Sequence, residues 1–108
     1  MLQDAHSTKV SAPVVANIGT TVIVPASTNA WIYVHELMGD LANNGTLTIR
    51  AGLRQLAYFT LDAGQGMTEN DEPGNDNVPR FVCKPGEDFN IIVTGGQFAG
   101  TIDYSYRY

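Results

Sequence analysis

The feature that most constrains this chain is a series of short segments that alternate apolar and polar residues and are separated by turn residues. The clearest is the last, residues 101–108, in which Ile102, Tyr104, Tyr106 and Tyr108 share one face. A period of two indicates a half-buried β-strand. Residues 46–51, 57–61 and 89–93 alternate in the same way, and residues 20–24, 31–37 and 80–84 are further short segments rich in β-branched and aromatic residues. The pattern predicts many short strands joined by tight turns.

Turn chemistry stands between these segments. Asn43-Asn44-Gly45 predicts a hairpin with a type I′ turn, and Gly52-Leu53 predicts a second tight turn. Pro85-Gly86 suits the two central positions of a type II turn. Seven or eight short strands without a long helix predict an all-β fold, an antiparallel β-sandwich that is jelly-roll-like.

Residues 31–41 fit two patterns. Trp31, Val34, Met38 and Leu41 form a helical stripe, whereas Trp-Ile-Tyr-Val is a block of strand formers. Gly39 would lie inside such a helix at a cost of about 1 kcal/mol. We therefore predict a strand.

The first 18 residues carry little periodicity and are interrupted by Pro13. They read either as an extended N-terminal arm or as an irregular first strand. We divide the chain into an arm, residues 1–18, and a β-sandwich domain, residues 19–108.

Charge excludes some partners. Of 108 residues only 16% are charged, below the ~25% of typical soluble domains. The net charge of −5 is concentrated in Glu69, Asp71, Glu72 and Asp76. The basic residues are scattered, and nucleic-acid binding requires clustered Lys and Arg. No apolar run approaches the ~20 residues of a membrane span. We therefore expect no nucleic-acid or membrane partner.

Reactive constellations are not apparent. His6 and His35 lack metal-ligand spacing, and the single Cys83 lies in an apolar segment typical of a structural thiol. The oxygen-rich segment 64–79 does not have the spacing of a calcium loop, so an exposed contact loop is the better interpretation. We predict no catalytic residue, no metal and no cofactor, and we expect that the protein is not an enzyme. An enzyme is the weakest of the three interpretations that the sequence leaves open, because it would require a reactive constellation of residues that lie far apart in the sequence.

Two strands are apolar on both faces. Trp31 and Tyr33 alternate with apolar neighbours, and so do Leu56 and Tyr58. A strand that is apolar on both sides needs a second cover. We expect Trp31, Tyr33, Leu56 and Tyr58 to lie in an interface between copies of the chain.

The order of segments also carries a resemblance. The strand 19–25 is followed by Trp31–Leu37, the segment Gly45-Thr-Leu-Thr-Ile-Arg-Ala-Gly52 and an apolar strand ending before Gly64-Gln-Gly66. A Pro85-Gly-Glu87 turn then leads into an Asn90-Ile strand, and Gly95-Gly96 leads into the Tyr-rich end. Residues 19–108 thereby resemble small β-sandwich proteins encoded near the structural genes of tailed bacteriophages. The acidic residues 69–76 look like an insertion in that pattern.

The resemblance implies a jelly-roll-like capsid decoration (cement) protein, often a homotrimer, that binds the major capsid protein on the surface of the virion after assembly in the host cytoplasm. It implies no catalytic residue. On this interpretation the first 18 residues contact the capsid or a neighbouring copy, and the candidate contact residues are Val10, Pro13, Val14 and Val15. The alternative is a carbohydrate- or receptor-binding β-sandwich module of a phage tail or fibre, since aromatic, Asn and Asp side chains suit sugars.

Overall fold

The computed structural model describes residues 9–70 and 78–108, and within these ranges all regular structure is β-strand. The acidic residues Asp71, Glu72 and Asp76 of the expected contact loop, and the first eight residues of the expected arm, lie outside the described residues. The strands are β1 (Val10–Ala16), β2 (Gly19–Val24), β3 (Trp31–Leu41), β4 (Gly45–Ala51), β5 (Arg54–Leu61), β6 (Gly66–Asn70), β7 (Phe81–Cys83), β8 (Phe89–Val93) and β9 (Phe98–Arg107).

The strands form two antiparallel sheets. The five-stranded sheet has the order β1-β9-β3-β6, and β7 lies beside β3 as well. β7 pairs with the first part of β3, at Ile32–Val34, whereas β6 pairs with its second part, at Glu36–Asp40. The four-stranded sheet has the order β2-β8-β4-β5.

The pairing is nested along the chain. The first strand pairs with the last, β2 with β8, β3 with β6 and β7, and β4 with β5. The ladders β3–β9 and β4–β8 then complete the two sheets. This is the jelly-roll arrangement, which confirms the predicted all-β sandwich. The described strands number nine because β6 and β7 share one strand position.

The core lies between the inner faces of the two sheets. Alternate residues of each strand are buried there, and Phe89 and Phe98 are the largest fully buried side chains. Each fully buried large aliphatic or aromatic side chain stabilises the fold by roughly 1.5–3 kcal/mol. In β9 the predicted alternation is confirmed for Ile102, Tyr104 and Tyr106, which pack on the core, whereas Tyr108 lies beyond the strand and is 74% exposed.

Residues 31–41 form one strand, as predicted, and the helical alternative is wrong. The register of β3 against β9 shifts between Val34 and Glu36, so His35 is the extra residue of a β-bulge. Within the described ranges, no helix is long and apolar enough to span a membrane.

The turns are partly as predicted. Gly52-Leu53 joins β4 to β5, and in the Pro85-Gly86 turn Glu87 N donates to Lys84 O at 2.9 Å with Gly86 at φ 88°. Asn43–Gly45 does not form a hairpin, because β3 and β4 belong to different sheets. No described non-glycine residue has positive φ, which a type I′ turn requires. Gly45 is instead needed for a close approach, since a Cβ there would lie 1.9 Å from Thr94 O.

The expected arm is, in its described part, a strand of the sandwich. Residues 10–16 form β1, which pairs with β9 over its whole length. Val14 and Ala16 point into the core because β1 alternates apolar residues towards it. For these residues the interpretation as an irregular first strand applies, and the boundary placed after residue 18 falls between β1 and β2 of one sandwich.

Candidate functional site

The outer face of the five-stranded sheet carries an exposed group without charge. Pro13 and Met38 are both Cα partners of Thr101, and Val15 is the partner of Ala99. All five side chains are exposed, Val15 by 62% and Met38 by 41%. We call Pro13, Val15, Met38, Ala99 and Thr101 the apolar patch. It spans three adjacent strands, β1, β9 and β3.

The next row of this face is acidic. Asp103 and Glu36 are Cα partners, and Ser11 Oγ donates to Asp103 Oδ1 at 2.5 Å. These two carboxylates border the apolar patch on one side, and the exposed Asp40, the Cα partner of Ala99 on β3, borders it on another. Asp103 and Glu36 separate the patch from an aromatic group at the far end of β3.

That group is built around a cation. The guanidinium of Arg107 lies 4.7 Å from the ring centroid of Tyr33, and Arg107 is the Cα partner of Trp31. A guanidinium over an aromatic face is attracted by the ring quadrupole. Tyr33 therefore already uses one ring face within the chain, whereas Trp31 remains 42% exposed.

His35 lies between these groups but is almost fully buried. Its Nε2 is 3.0 Å from Ser105 Oγ, and its ring meets Tyr33 edge-on with centroids 6.4 Å apart. Ser105 is equally buried. A side chain enclosed in this way holds the bulge of β3 in place and offers little access to a substrate.

The residues expected to contact a capsid are not equivalent. Pro13 and Val15 lie in the apolar patch, and Val10 is partly exposed at the start of β1. Val14 is wrong as a contact residue, because it points into the core and is only 3% exposed. Alternation along β1 sends neighbouring side chains to opposite faces.

The residues expected in a seam between copies do not lie together. Trp31 and Tyr33 are on the outer face of the five-stranded sheet. Tyr58 is the Cα partner of Thr48 on the outer face of the four-stranded sheet. Leu56 is the extra residue of a bulge and packs partly against the core. The two pairs thus belong to opposite sides of the sandwich.

Cys83 is a structural thiol, as its sequence context indicates. It is fully buried, and its Sγ is 3.6 Å from Asp88 O. Burial, and then the negative charge of Glu87, raises the pKa of the Cys83 thiol to about 12. The reactive thiolate is therefore scarce at neutral pH. Among the described residues, no group of three His, Cys, Asp or Glu side chains is placed to hold a metal.

One concave site was not expected from the sequence. It lies at one end of the outer face of the four-stranded sheet and has a cavity volume of about 290 Å³. Arg50 Nε donates to Asn90 Oδ1 at 2.8 Å, and Asn90 Nδ2 donates to Asp88 Oδ1 at 2.6 Å. Asp88 and Asn90 are close in sequence, but Arg50 is 40 residues away from Asn90, and only the β4–β8 ladder makes these two neighbours. We call this cavity the Asn90 pocket; it is lined by Thr20, Val22, Arg50, Gly52, Leu53, Gly86, Asp88 and Asn90.

The fold and these surfaces define a jelly-roll β-sandwich with an uncharged patch on one face and a polar pocket on the other. Comparison of the chain with protein-family models, with curated proteins and with solved structures finds no match.

Proposed function

We propose that this chain is a structural virion protein, a decoration (cement) protein that attaches to the outer surface of a phage head through the apolar patch. The observation that carries the proposal is the exposure of Val15 and Met38 beside three other uncharged side chains on adjacent strands. The sequence resemblance gives the partner, the major capsid protein.

The physics of attachment suits such a patch. Each Å² of apolar surface removed from water contributes about 25 cal/mol. The patch lies on hydrogen-bonded strands, so its side chains are held in place before they meet a partner. One patch gives weak binding, but several copies acting together on a repetitive shell gain through multivalency.

The direct test is co-sedimentation with phage heads. The doubly substituted protein Val15→Glu, Met38→Glu places two charges in the patch, and we expect it to lose attachment to heads assembled from the major capsid protein of the encoding phage. The matched control is the doubly substituted protein Val22→Glu, Leu53→Glu, which also adds two charges at exposed positions but on the other sheet, away from the patch. Equal attachment of both proteins would contradict the proposal.

Self-association is a second part of the proposal. Trp31 and Tyr58 lie on opposite faces, so they cannot both meet their own copies across one two-fold seam. They can meet each other head to tail, and a heterologous contact of this kind forms a ring such as a trimer when its rotation closes and an open filament when it does not. Native mass spectrometry tests this, with Tyr58→Glu expected to give monomers. A wild-type monomer at all concentrations would contradict the ring.

The alternative, a carbohydrate- or receptor-binding module, has one specific observation in its favour, the Asn90 pocket. Binding to sugars without attachment to heads would favour that alternative. Attachment to heads that depends on the apolar patch favours decoration.

A further inference from the structure

The Asn90 pocket is a concave site whose shape and chemistry point to a small ligand. Its floor is one row of the four-stranded sheet, in which Asn90 is the Cα partner of both Val22 and Arg50. Its walls are the Gly52-Leu53 hairpin and the turn around Gly86. At about 290 Å³ it is at the small end of ligand pockets, which run from ~300 to ~1,000 Å³.

Asn90 organises the floor of the pocket, and its side-chain amide is hydrogen-bonded within the chain through both its nitrogen and its oxygen. Its side chain is 2% exposed, and its amide nitrogen donates to Asp88 Oδ1 at 2.6 Å and to Gly52 O at 2.9 Å. Its amide oxygen accepts from Arg50 Nε. Both hydrogens of the amide are therefore bonded, and the guanidinium and the carboxylate are fixed on either side of it.

Arg50 and Asp88, on either side of Asn90, each keep atoms that can still form hydrogen bonds. Among the described residues, the two terminal nitrogens of Arg50 and the second carboxylate oxygen of Asp88 have no hydrogen-bond partner. The pocket thus offers donors and an acceptor whose charges oppose each other. Val22 and the 90% exposed Leu53 add apolar surface beside them.

The walls are held before any ligand arrives. Gly52 N donates to Asp88 O at 2.8 Å, which joins the hairpin to the start of β8. Arg54 binds Glu87 through two hydrogen bonds of 2.9 and 2.8 Å, behind the pocket. Gly86 N donates to Ser27 O at 2.8 Å. Such pre-organisation lowers the entropy that binding would otherwise cost.

We propose that the Asn90 pocket binds a neutral, hydroxyl-rich ring, the chemistry of one sugar unit. A hydroxyl both donates and accepts, so adjacent hydroxyls can pair with Asp88 and Arg50 together. An anion would meet the carboxylate of Asp88, and a cation would meet the guanidinium of Arg50. A purely apolar ligand would leave the terminal nitrogens of Arg50 and the second carboxylate oxygen of Asp88 without water or a partner. The C–H face of a sugar ring packs on Val22 and Leu53.

This inference does not rest on the proposed decoration function. The pocket is on the four-stranded sheet, so it faces away from the apolar patch. A protein attached to a shell through the patch would present the pocket outwards. The pocket can therefore be tested on the free chain, and its failure would leave attachment to heads untouched.

The experiment is a titration of the ¹⁵N-labelled chain, followed by amide chemical shifts. The probes are D-glucose, D-galactose, D-mannose and N-acetyl-D-glucosamine, with D-glucuronate and inorganic phosphate as charged counterparts. We expect at least one neutral sugar to bind with a Kd on the order of 1 mM. The shifts should centre on Gly52, Leu53, Gly86 and the side-chain amide of Asn90.

Variants assign the site. Val22→Phe fills the pocket from an exposed strand position, and Arg50→Met removes the terminal donors while keeping the aliphatic stem. Each should weaken binding at least about tenfold. Ile18→Phe places the same aromatic side chain at an exposed position elsewhere and should bind as the wild type does. Val22→Phe keeps the test decisive if Arg50→Met fails to fold, because Val22 is half-exposed and outside the hydrogen-bonded network.

Several results would overturn the inference. No shift with any neutral sugar at about a hundred times the expected Kd would exclude the ligand class. Tighter binding of glucuronate or phosphate than of every neutral sugar would show that the pocket selects anions. Binding that Val22→Phe leaves unchanged would place the sugar elsewhere on the chain.

Discussion

The outer faces of the two sheets differ in how their exposed side chains are held. In the apolar patch the side chains are placed by strand register alone, and the residues pair across β1, β9 and β3. In the Asn90 pocket the side chains are placed by a chain of hydrogen bonds through Arg50, Asn90 and Asp88. The same fold therefore carries two kinds of surface. The apolar patch provides area for contact with a partner, and the Asn90 pocket provides polar groups with fixed orientations.

The two faces should therefore differ in which substitutions destabilise them. A surface held by register tolerates exchange of its outward side chains, because their removal leaves the ladder intact. A site held by one buried amide depends on that amide. Substitutions should therefore affect the folding of the two faces unequally.

The largest effect is expected where the backbone beneath the patch is crowded. Gly39 and Gly100 are Cα partners, and a Cβ on Gly100 would lie 1.8 Å from Met38 O. Gly100→Ala must therefore displace backbone, and we expect a loss of up to about 3 kcal/mol in the free energy of unfolding. Urea denaturation measures it.

The control for Gly100→Ala is Gly66→Ala in the same sheet, where an added Cβ has open space. It should change the free energy of unfolding by less than about 0.5 kcal/mol. Equal losses in the two proteins would show that crowding between β3 and β9 does not shape this face.

The next effect concerns the hub of the pocket. Asn90→Ala removes the partner of Arg50 Nε, of Gly52 O and of one Asp88 oxygen. We expect a loss of about 1–3 kcal/mol, since buried polar groups are then left unpaired. The matched change on the other face is Thr101→Ala in the apolar patch, which should cost less than about 0.5 kcal/mol. If the order of the two losses is reversed, the contrast between the faces is wrong.

A smaller effect depends on pH. The hydrogen bonds from Arg54, with help from the Lys84 backbone N–H, lower the pKa of Glu87 to about 2 from its ordinary 4.5. The unfolded chain takes up this proton first as the pH falls, so the pair's contribution is full above about pH 4.5 and is lost towards pH 2. We expect the urea midpoint to fall across this window, and less so at high salt because the pair is partly exposed.

Glu87→Gln is the control for that pH dependence. It cannot titrate, so its stability should vary less between pH 5 and pH 2 than that of the wild type. A wild-type curve that coincides with the curve of Glu87→Gln would mean that the Arg54–Glu87 pair does not hold the walls of the pocket.

The smallest effect on stability is expected in the apolar patch. Met38→Glu changes an exposed side chain, and the free energy of unfolding should stay within about 0.5 kcal/mol of the wild type. Thermal and urea unfolding both measure this. A loss above about 2 kcal/mol would mean that Met38 supports the fold and that it is not available as a contact residue.

Local patterns predicted the fold well, because strand alternation and turn residues are signals that lie within short stretches of sequence. The alternation of residues 101–107 and the Pro85-Gly86 turn are both present as expected. The prediction of a hairpin at Asn43–Gly45 was wrong, because the same turn residues also occur where the chain passes from one sheet to the other. Which strand follows in space depends on pairings between distant segments, such as β1 with β9.

The pocket could not be predicted for the same reason. Asp88 and Asn90 are close in sequence, but Arg50 and Val22 reach them only through the ladders of the four-stranded sheet. The contact surfaces were predicted in part. Pro13 and Val15 lie on one exposed face, whereas the period of two sends Val14 between them into the core.

Hydroxyl-radical footprinting of the chain, free and attached to phage heads, tests most directly whether the apolar patch is the surface of attachment. Met38 reports on the apolar patch and Leu53 on the rim of the Asn90 pocket, and both are exposed in the free chain. If the patch is that surface, we expect attachment to reduce oxidation of Met38 strongly and to leave oxidation of Leu53 unchanged. Protection of Leu53 with unchanged oxidation of Met38 would contradict it.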